Sequence, residues 1–450
     1  MQGLGMAGWN TTATLMYALL GTVAAPAHAY ADAPGQGSTM DRALRALSVP
    51  QQTASAQTTV YDPIFKNGFE DPCSEDADSD GLADCVETNT GIYVSAANTG
   101  TDPHNPDTDG DGLLDGEEVN GTAGGLDLPG MGTNPLHKDI LIEYDWFDDA
   151  NGCAAHSHRP APEVLQGVHD FFANAPIANP DGVTGINVIQ DYGQGGVFTG
   201  GNLITDPANP TALVDGPVGY PQYNDYELAN FAANRHNYFH YVLMAHQYDN
   251  QQGSTSSSGS ATTPGYEVMV TLACWAADTS GTGAAYIRNA IVHELGHNLG
   301  LRHGGDEACN YKPNYSSVMN YRYEFVGIDS GCQGTGDGAS TLDYSHGDRL
   351  TLDENNLDEP AGMCTNAVVP VDWNGDLQYT SGVVADINSY GLESSECGGT
   401  NTILHDFNDW ASLQIASVVS SYSSGGGAAR ANMSALPAPA SCAPIPSYPR

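Results

Sequence analysis

Apolar and polar positions alternate cleanly from Lys138 to Phe147 (KDILIEYDWF), with Ile140, Ile142, Tyr144 and Trp146 on one side, which predicts a β-strand. Pro162 to Ala175 predicts a helix and Ile186 to Tyr192 a second strand. Tyr238 to Ala245 is an almost continuous apolar run, suited to a central strand covered on both faces. Tyr266 to Trp275 alternates again and reads as an edge strand over a cleft. Ile287, Ala290, Ile291 and Leu295 then follow the i, i+3, i+4, i+8 rhythm of a core-facing helical stripe. Positions 293 and 297 lie about 200° round from that stripe, so this helix should pack on one face and present the other to a cleft. The order strand, helix, strand, strand, strand, helix predicts an α/β (α+β) domain with a mixed, twisted sheet.

Outside this block the patterning weakens. Ala13 to Pro26 is mostly apolar and Ala27-His28-Ala29 fits a small-x-small cleavage site, so residues 1–29 read as a signal peptide, although no Lys or Arg precedes Arg42. Residues 30–72 are rich in Ala, Ser, Gln and Pro and read as a linker or propeptide. An acidic block at 73–120 and a Gly-rich connection, Gly121 to Pro135, lead to the patterned domain at 137–345. Ser330 to Ser340 is a Gly-rich loop, Leu342 to Met363 (with DENNLDE) a charged helix or turn, and Asp406 to Val419 a late helix. The last two belong to a smaller irregular extension at 346–420, and residues 421–450 read as a disordered tail. No run approaches the length of a membrane-spanning helix, so no stable membrane insertion is expected and the chain should be secreted or held at the cell surface.

The chemistry is concentrated in Ile291 to Gly305, IVHELGHNLGLRHGG, which contains H-e-x-x-H-x-x-G-x-x-H. His293 and His297 are four apart and share one helix face, as two corners of a tetrahedral zinc site require. Gly300 allows the chain to leave the helix at positive φ, so that it doubles back and His303 supplies a third nitrogen. Three protein ligands with a fourth position left for water define a catalytic site, whereas a structural zinc site is closed. Glu294, one step round the helix, can reach that water but not easily the metal.

Taken with Ser317-Val318-Met319-Asn320-Tyr321, this motif resembles the metzincin clan of zinc metallopeptidases, whose Met-turn underlies the zinc-histidine cluster. The resemblance spans His293 to Tyr321 and the strand order upstream. It implies a metzincin-like fold with a smaller C-terminal subdomain, and one catalytic zinc on His293, His297 and His303. It further implies Glu294 as general base and endopeptidase action on proteins or peptides. Tyr321 matches the tyrosine that astacin-like and serralysin-like members place near the metal, where it ligates zinc at rest and swings to stabilise the oxyanion. Gly304 departs from the Glu, Ser, Asp or Pro that follows the third histidine in astacins, matrixins, reprolysins and serralysins respectively, so the family within the clan stays open.

Charge changes the picture upstream. The chain carries 54 acidic and 13 basic residues, a formal net charge of -41, which repels nucleic acid and anionic membranes and favours cations. Fifteen of the acids, and no Lys or Arg, fall between Glu70 and Glu118. Asp76, Asp78, Asp80, Gly81, Asp84 and Glu87 occupy positions 1, 3, 5, 6, 9 and 12 of a calcium loop, with the Leu82 carbonyl at position 7. Asp107, Asp109, Asp111, Gly112, Leu113, Asp115 and Glu118 repeat the set, which predicts about two structural calcium ions. Neither loop follows a convincing helix, so they resemble the loop-only repeats of thrombospondin type 3 or dockerin-like modules. A third candidate, Asp372, Asn374 and Asp376, lacks the position-6 glycine.

Nine cysteines without a C-x-x-C pair suggest an oxidising compartment. Spacing pairs Cys73 with Cys85, and more loosely Cys309 with Cys332 and Cys364 with Cys397; nine is odd, so at least one thiol stays free or pairs outside the chain, and Cys442 is the candidate. His156, His158, His240 and His246 have no partner spacing and read as surface or core residues. A rival from another class is a calcium-dependent adhesion or matrix-binding surface protein with a vestigial protease domain. A dead site has no reason to keep Glu294. Nothing in the sequence sets the oligomeric state or the cleavage preference.

Overall fold

The patterned segments form strands with ends one residue inside those expected, except that the run from Tyr266 to Trp275 is a strand only as far as Val270. The structure is a computed structural model that describes residues 73–149, 155–205, 217–218, 220–248, 257–272, 281–388, 397–416 and 418. Two acidic loops lead into helices α1 (Asp115–Asn120) and α2 (Leu128–Met131). The central block follows as β1 (Asp139–Trp146), β2 (Asp148–Asp149), β3 (His156–Ser157), α3 (Pro162–Ala173), β4 (Asn187–Asp191), β5 (Pro217–Val218) and α4 (Tyr220–Asn230). It continues with β6 (Phe239–Met244), β7 (Gln247–Tyr248), β8 (Gly259–Ala261), β9 (Glu267–Val270) and α5 (Gly281–Asn298). The C-terminal part carries only the short strands β10 (Leu352–Asp353), β11 (Leu357–Asp358), β12 (Ser381–Val383) and β13 (Ile403–Leu404). All described residues belong to one compact unit, Lys66–Arg450.

The main sheet has the order β4-β1-β6-β9-β8, with the first four strands parallel and β8 antiparallel. This is a mixed α/β arrangement. Both faces are covered, which is why every residue of β1 is buried. Ile140, Ile142, Tyr144 and Trp146 join α3, α5, Met319, Tyr344 and Trp410 in one core cluster. Leu141 and Phe147 pack on the other face with Leu113, Leu128, Tyr223 and Tyr241. Buried polar groups on that face are paired within the protein: Arg235 pairs with Glu143 of β1 and Asp191 of β4 at 2.5 Å, and the Tyr241 hydroxyl donates to Asp145 at 2.7 Å. The acidic repeats pack directly on the start of β1, where the Asp139 amide donates to Asp111 at 2.6 Å and Lys138 Nζ reaches the Asp109 carbonyl.

Three expectations change. The alternating run at Tyr266 becomes β9, an interior strand, and the edge is β8, whose Gly-Ser-Ala sequence gives no apolar alternation to read. Residues 406–416 form no α-helix, only a 3-10 turn at Trp410–Ser412, where Asp409 is engaged by distant donors instead of capping a helix of its own. Of the two forms open to Leu342 to Met363, helix or turn, the segment takes turns, with two short strands among them. Helix α5 is buried on all sides through its second half, Ala290 to Asn298, instead of packing by one face. The apolar stripe alone stabilises this placement by about 1.5–3 kcal/mol for each buried Ile or Leu.

Cys73 and Cys85 are joined as their spacing predicts. The other two bridges are Cys309–Cys397 and Cys332–Cys364, not the sequence-adjacent pairing. The C-terminal chain returns across the loop after His303, so Cys397 meets Cys309 despite a sequence separation of 88. The signal peptide 1–29, linker 30–72, tail 421–450 with Cys442, and residues 273–275 lie outside the described residues. Among the described residues no helix is long and apolar enough to cross a membrane.

Candidate metal centre

α5 places His293 and His297 one turn apart, with ring centroids 4.9 Å from each other. Gly300 sits at φ +94° and lets the chain reverse, as the spacing requires. The Leu301 amide closes the reversal on the Gly296 carbonyl at 2.9 Å, and the turn brings His303 back over the helix. His297 Nε2 and His303 Nε2 are then 3.2 Å apart, and a nitrogen from each of the three rings lies within 4.8 Å of the others. Two nitrogens at adjacent corners of a tetrahedral zinc site would be roughly 3.3 Å apart. The backbone fixes which nitrogen faces inward. His293 Nδ1 lies 2.8 Å from the Val318 carbonyl and His297 Nδ1 2.8 Å from the Leu301 carbonyl, so each Nδ1–H donates outward and leaves the Nε2 lone pair for a metal.

The electrostatics favour the ligating form. Burial drives the His293 and His303 imidazoles well below their ordinary value and His297 down to about 4. For His293 and His303 the neighbouring histidines add to the effect of burial. All three are therefore neutral at pH 7, the state in which imidazole binds a cation. The donor set fits zinc: three neutral imidazole nitrogens and no thiolate.

Glu294 is fully buried. Its carboxylate lies against the backbone of β8 at Gly259, where a Cβ would collide with Glu294 Oε1. Gly259 is thus a glycine for close approach.

The Met-turn forms where its sequence places it. The Asn320 amide donates to the Ser317 carbonyl at 3.1 Å, and Met319 is fully buried beneath the histidines against α5. Its sulfur packs on Gly296, where any Cβ would strike Met319 Sδ and the Tyr344 hydroxyl. Asp409 clamps the turn from far along the chain: it accepts from the Ser317 hydroxyl at 2.6 Å, the Tyr315 hydroxyl at 2.8 Å and the Ser345 amide at 2.9 Å. The Tyr321 ring lies beside the trio, 4.2 Å from the His303 ring and 5.7 Å from that of His293. The loop after His303 is tied by a buried lysine, Lys312, which donates to the Gly304 and His405 carbonyls at 2.8 Å and to Glu307 at 2.9 Å.

The two acidic loops each close on their first aspartate. Asp76 accepts from the Ser79 and Gly81 amides, and Asp107 from the Gly110 and Gly112 amides, with Gly81 and Gly112 at φ +99° and +100°. Asp76, Asp78 and Asp80 form one group, Asp107, Asp109 and Asp111 another. Asp80 and Glu87 of the first loop gather with Asp115 of the second. Asp84 accepts from the Ala77 amide at 2.8 Å. Glu118 is buried against the carboxylates of Asp111, Asp109 and Asp139, which with burial raise it well above its ordinary value. Leu82 and Leu113 point into the protein at position 7. The third loop follows the same hydrogen-bond pattern on Asp372, with Leu377 held at φ +63° where the other loops use glycine.

Sequence reading missed Asp409, Lys312, Gly259 and Gly296. Each acts through a long-range contact that leaves no local pattern. A glycine one residue before the second histidine was the only local trace of the Met319 contact. His240 is a satisfied core histidine, bonded to Asn298 at 3.0 Å, as expected. His156, His158 and His246 are not scattered but meet in one cluster.

No family model and no curated protein matches this chain. Among solved structures it is similar to archaemetzincin from Methanopyrus kandleri, at 13% identity over 46% of this chain and 89% of that one, with a TM-score of 0.24. At that TM-score the superposition carries no argument, and the chemistry rests on this chain's own residues.

Proposed function

We propose that the chain is a secreted zinc-dependent endopeptidase, with the metal on His293, His297 and His303. The observation that carries this is the convergence of three buried, neutral imidazoles beside a buried carboxylate on the same helix. Bound zinc supplies a Lewis acid that polarises a carbonyl and lowers the pKa of water. Glu294 takes the proton of the attacking water and passes it to the leaving amine. In this reading the Tyr321 hydroxyl donates to the oxyanion, a role supported by its ring lying beside those of His303 and His293. Three disulfides support an oxidising, extracellular setting.

The same reading assigns about two calcium ions to the loops at Asp76–Glu87 and Asp107–Glu118. Both oxygens of Asp78, Oε2 of Glu87 and Oδ2 of Asp109 are buried without a hydrogen-bond partner, which suits cation ligands and little else. Burial, then Asp111 and Asp107, push Asp109 up to about 9, so these carboxylates are poorly tolerated as anions without a cation among them.

The test of function is cleavage of a proteome-derived peptide library. The proposal expects zinc-dependent hydrolysis of internal peptide bonds, lost in Glu294→Gln. A folded, zinc-loaded wild type that binds matrix proteins but cleaves no peptide would favour the adhesion reading.

A further inference from the structure

A second trio of histidines lies outside the centre on α5 and shares no residue with it. His156 opens β3 and His158 directly follows its last residue, Ser157, and the two rings meet edge to face. Backbone bonds hold that pair at the carboxyl ends of the parallel strands. The His158 amide donates to the Phe147 carbonyl at 2.9 Å, and the Phe147 amide to the Met244 carbonyl, the last residue of β6, at 3.1 Å. His246 follows two residues beyond β6, where the chain is fixed by the Ala245 amide donating to Val270 at 2.9 Å.

The three rings stand 4.6, 5.6 and 5.8 Å apart by centroid, against 4.8, 4.9 and 5.5 Å for His293, His297 and His303. One nitrogen of each lies within 4.8 Å of the other two. His158 and His246 are 3% and 6% exposed, and His156 is half-buried. Three imidazoles brought from two separate elements to one point, most of their surface out of water, make a nitrogen-only donor set. That set suits zinc, copper or nickel and not calcium or magnesium.

We propose that His156, His158 and His246 form a second transition-metal site, occupied by zinc, that pins the β2–β3 hairpin to the end of the sheet. Such a pin would contribute stability by binding the folded chain only, because the hairpin and β6 separate on unfolding. The assignment does not depend on the α5 trio being catalytic.

The test uses the full chain, stripped with chelator and reloaded with zinc at saturating calcium. Zinc content is measured by elemental analysis, and cobalt titrations are followed by visible absorption. Wild type should take up two equivalents of zinc. His293→Ala/His297→Ala should retain one equivalent, with a cobalt spectrum of nitrogen ligation. His156→Gln/His158→Gln should fall from two equivalents to one and keep the spectrum of the α5 centre. Wild type saturating at one equivalent, or a folded His293→Ala/His297→Ala chain binding none, would overturn the proposal. Should either double variant fail to fold, the wild-type stoichiometry and the other variant still decide it.

Discussion

Tyr321 is the residue whose role separates two versions of the chemistry. Its ring is close enough to His303 and His293 to serve either as an oxyanion donor or as packing. If the hydroxyl acts chiefly in the transition state, Tyr321→Phe should lower kcat by about 10²- to 10³-fold while changing KM little. Steady-state kinetics on one peptide would show it, and a kcat within about twofold of wild type would assign the tyrosine to packing. Gly259 makes a second point at this scale. A methyl there would collide with the carboxylate of Glu294, so Gly259→Ala should lower kcat with zinc content unchanged. Unchanged kcat would mean that β8 can yield without disturbing the carboxylate.

At the scale of elements, legibility followed periodicity. β1, α3, β4, β6 and α5 were readable because each shows its burial in the spacing of apolar residues. β8 was not, because Gly259 to Ala261 has small residues where contact with α5 needs them. The trio His293, His297 and His303 was legible because all three lie within eleven residues, where helix pitch and one glycine set the geometry. The clamp on the Met-turn was not, since Asp409 is 92 residues from Ser317 and its segment imitates an amphipathic helix. The disulfide pairing of the C-terminal part failed for the same reason: proximity along the chain is a poor guide where the chain returns on itself. Asp409→Ala should remove acceptors from three buried or backbone donors and destabilise the fold by about 1–3 kcal/mol, seen as a lower Tm. An unchanged Tm would show that the turn holds without its clamp.

At the scale of the molecule, the acidic repeats bear on stability through their packing on β1. Burial first, and neighbouring carboxylates after it, push Asp115 up to about 7 and Asp109 to about 9 when no cation is bound. In the unfolded chain both fall near the ordinary value of about 4. The folded, calcium-free chain therefore holds protons that the unfolded chain has released, and its stability should fall as pH rises from about 4 toward 9. Calcium binds the anionic forms, so the loaded protein should not lose stability over that window and should instead weaken in acid as ligands protonate. Denaturant melts at pH 5, 7 and 9, with calcium and with chelator, would test this. Parallel pH dependence in the two series would contradict it.

The account as a whole stands on Glu294 acting as the base beside a histidine-held zinc. The most direct measurement is peptide-library cleavage by wild type and Glu294→Gln at matched zinc content. Because the three histidines are untouched, the variant should keep the wild-type zinc content yet lose kcat by at least about 10²- to 10⁴-fold, with no new cleavage pattern. A zinc-loaded Glu294→Gln chain that cuts the same bonds at the wild-type rate would contradict the assignment of the base and with it the mechanism.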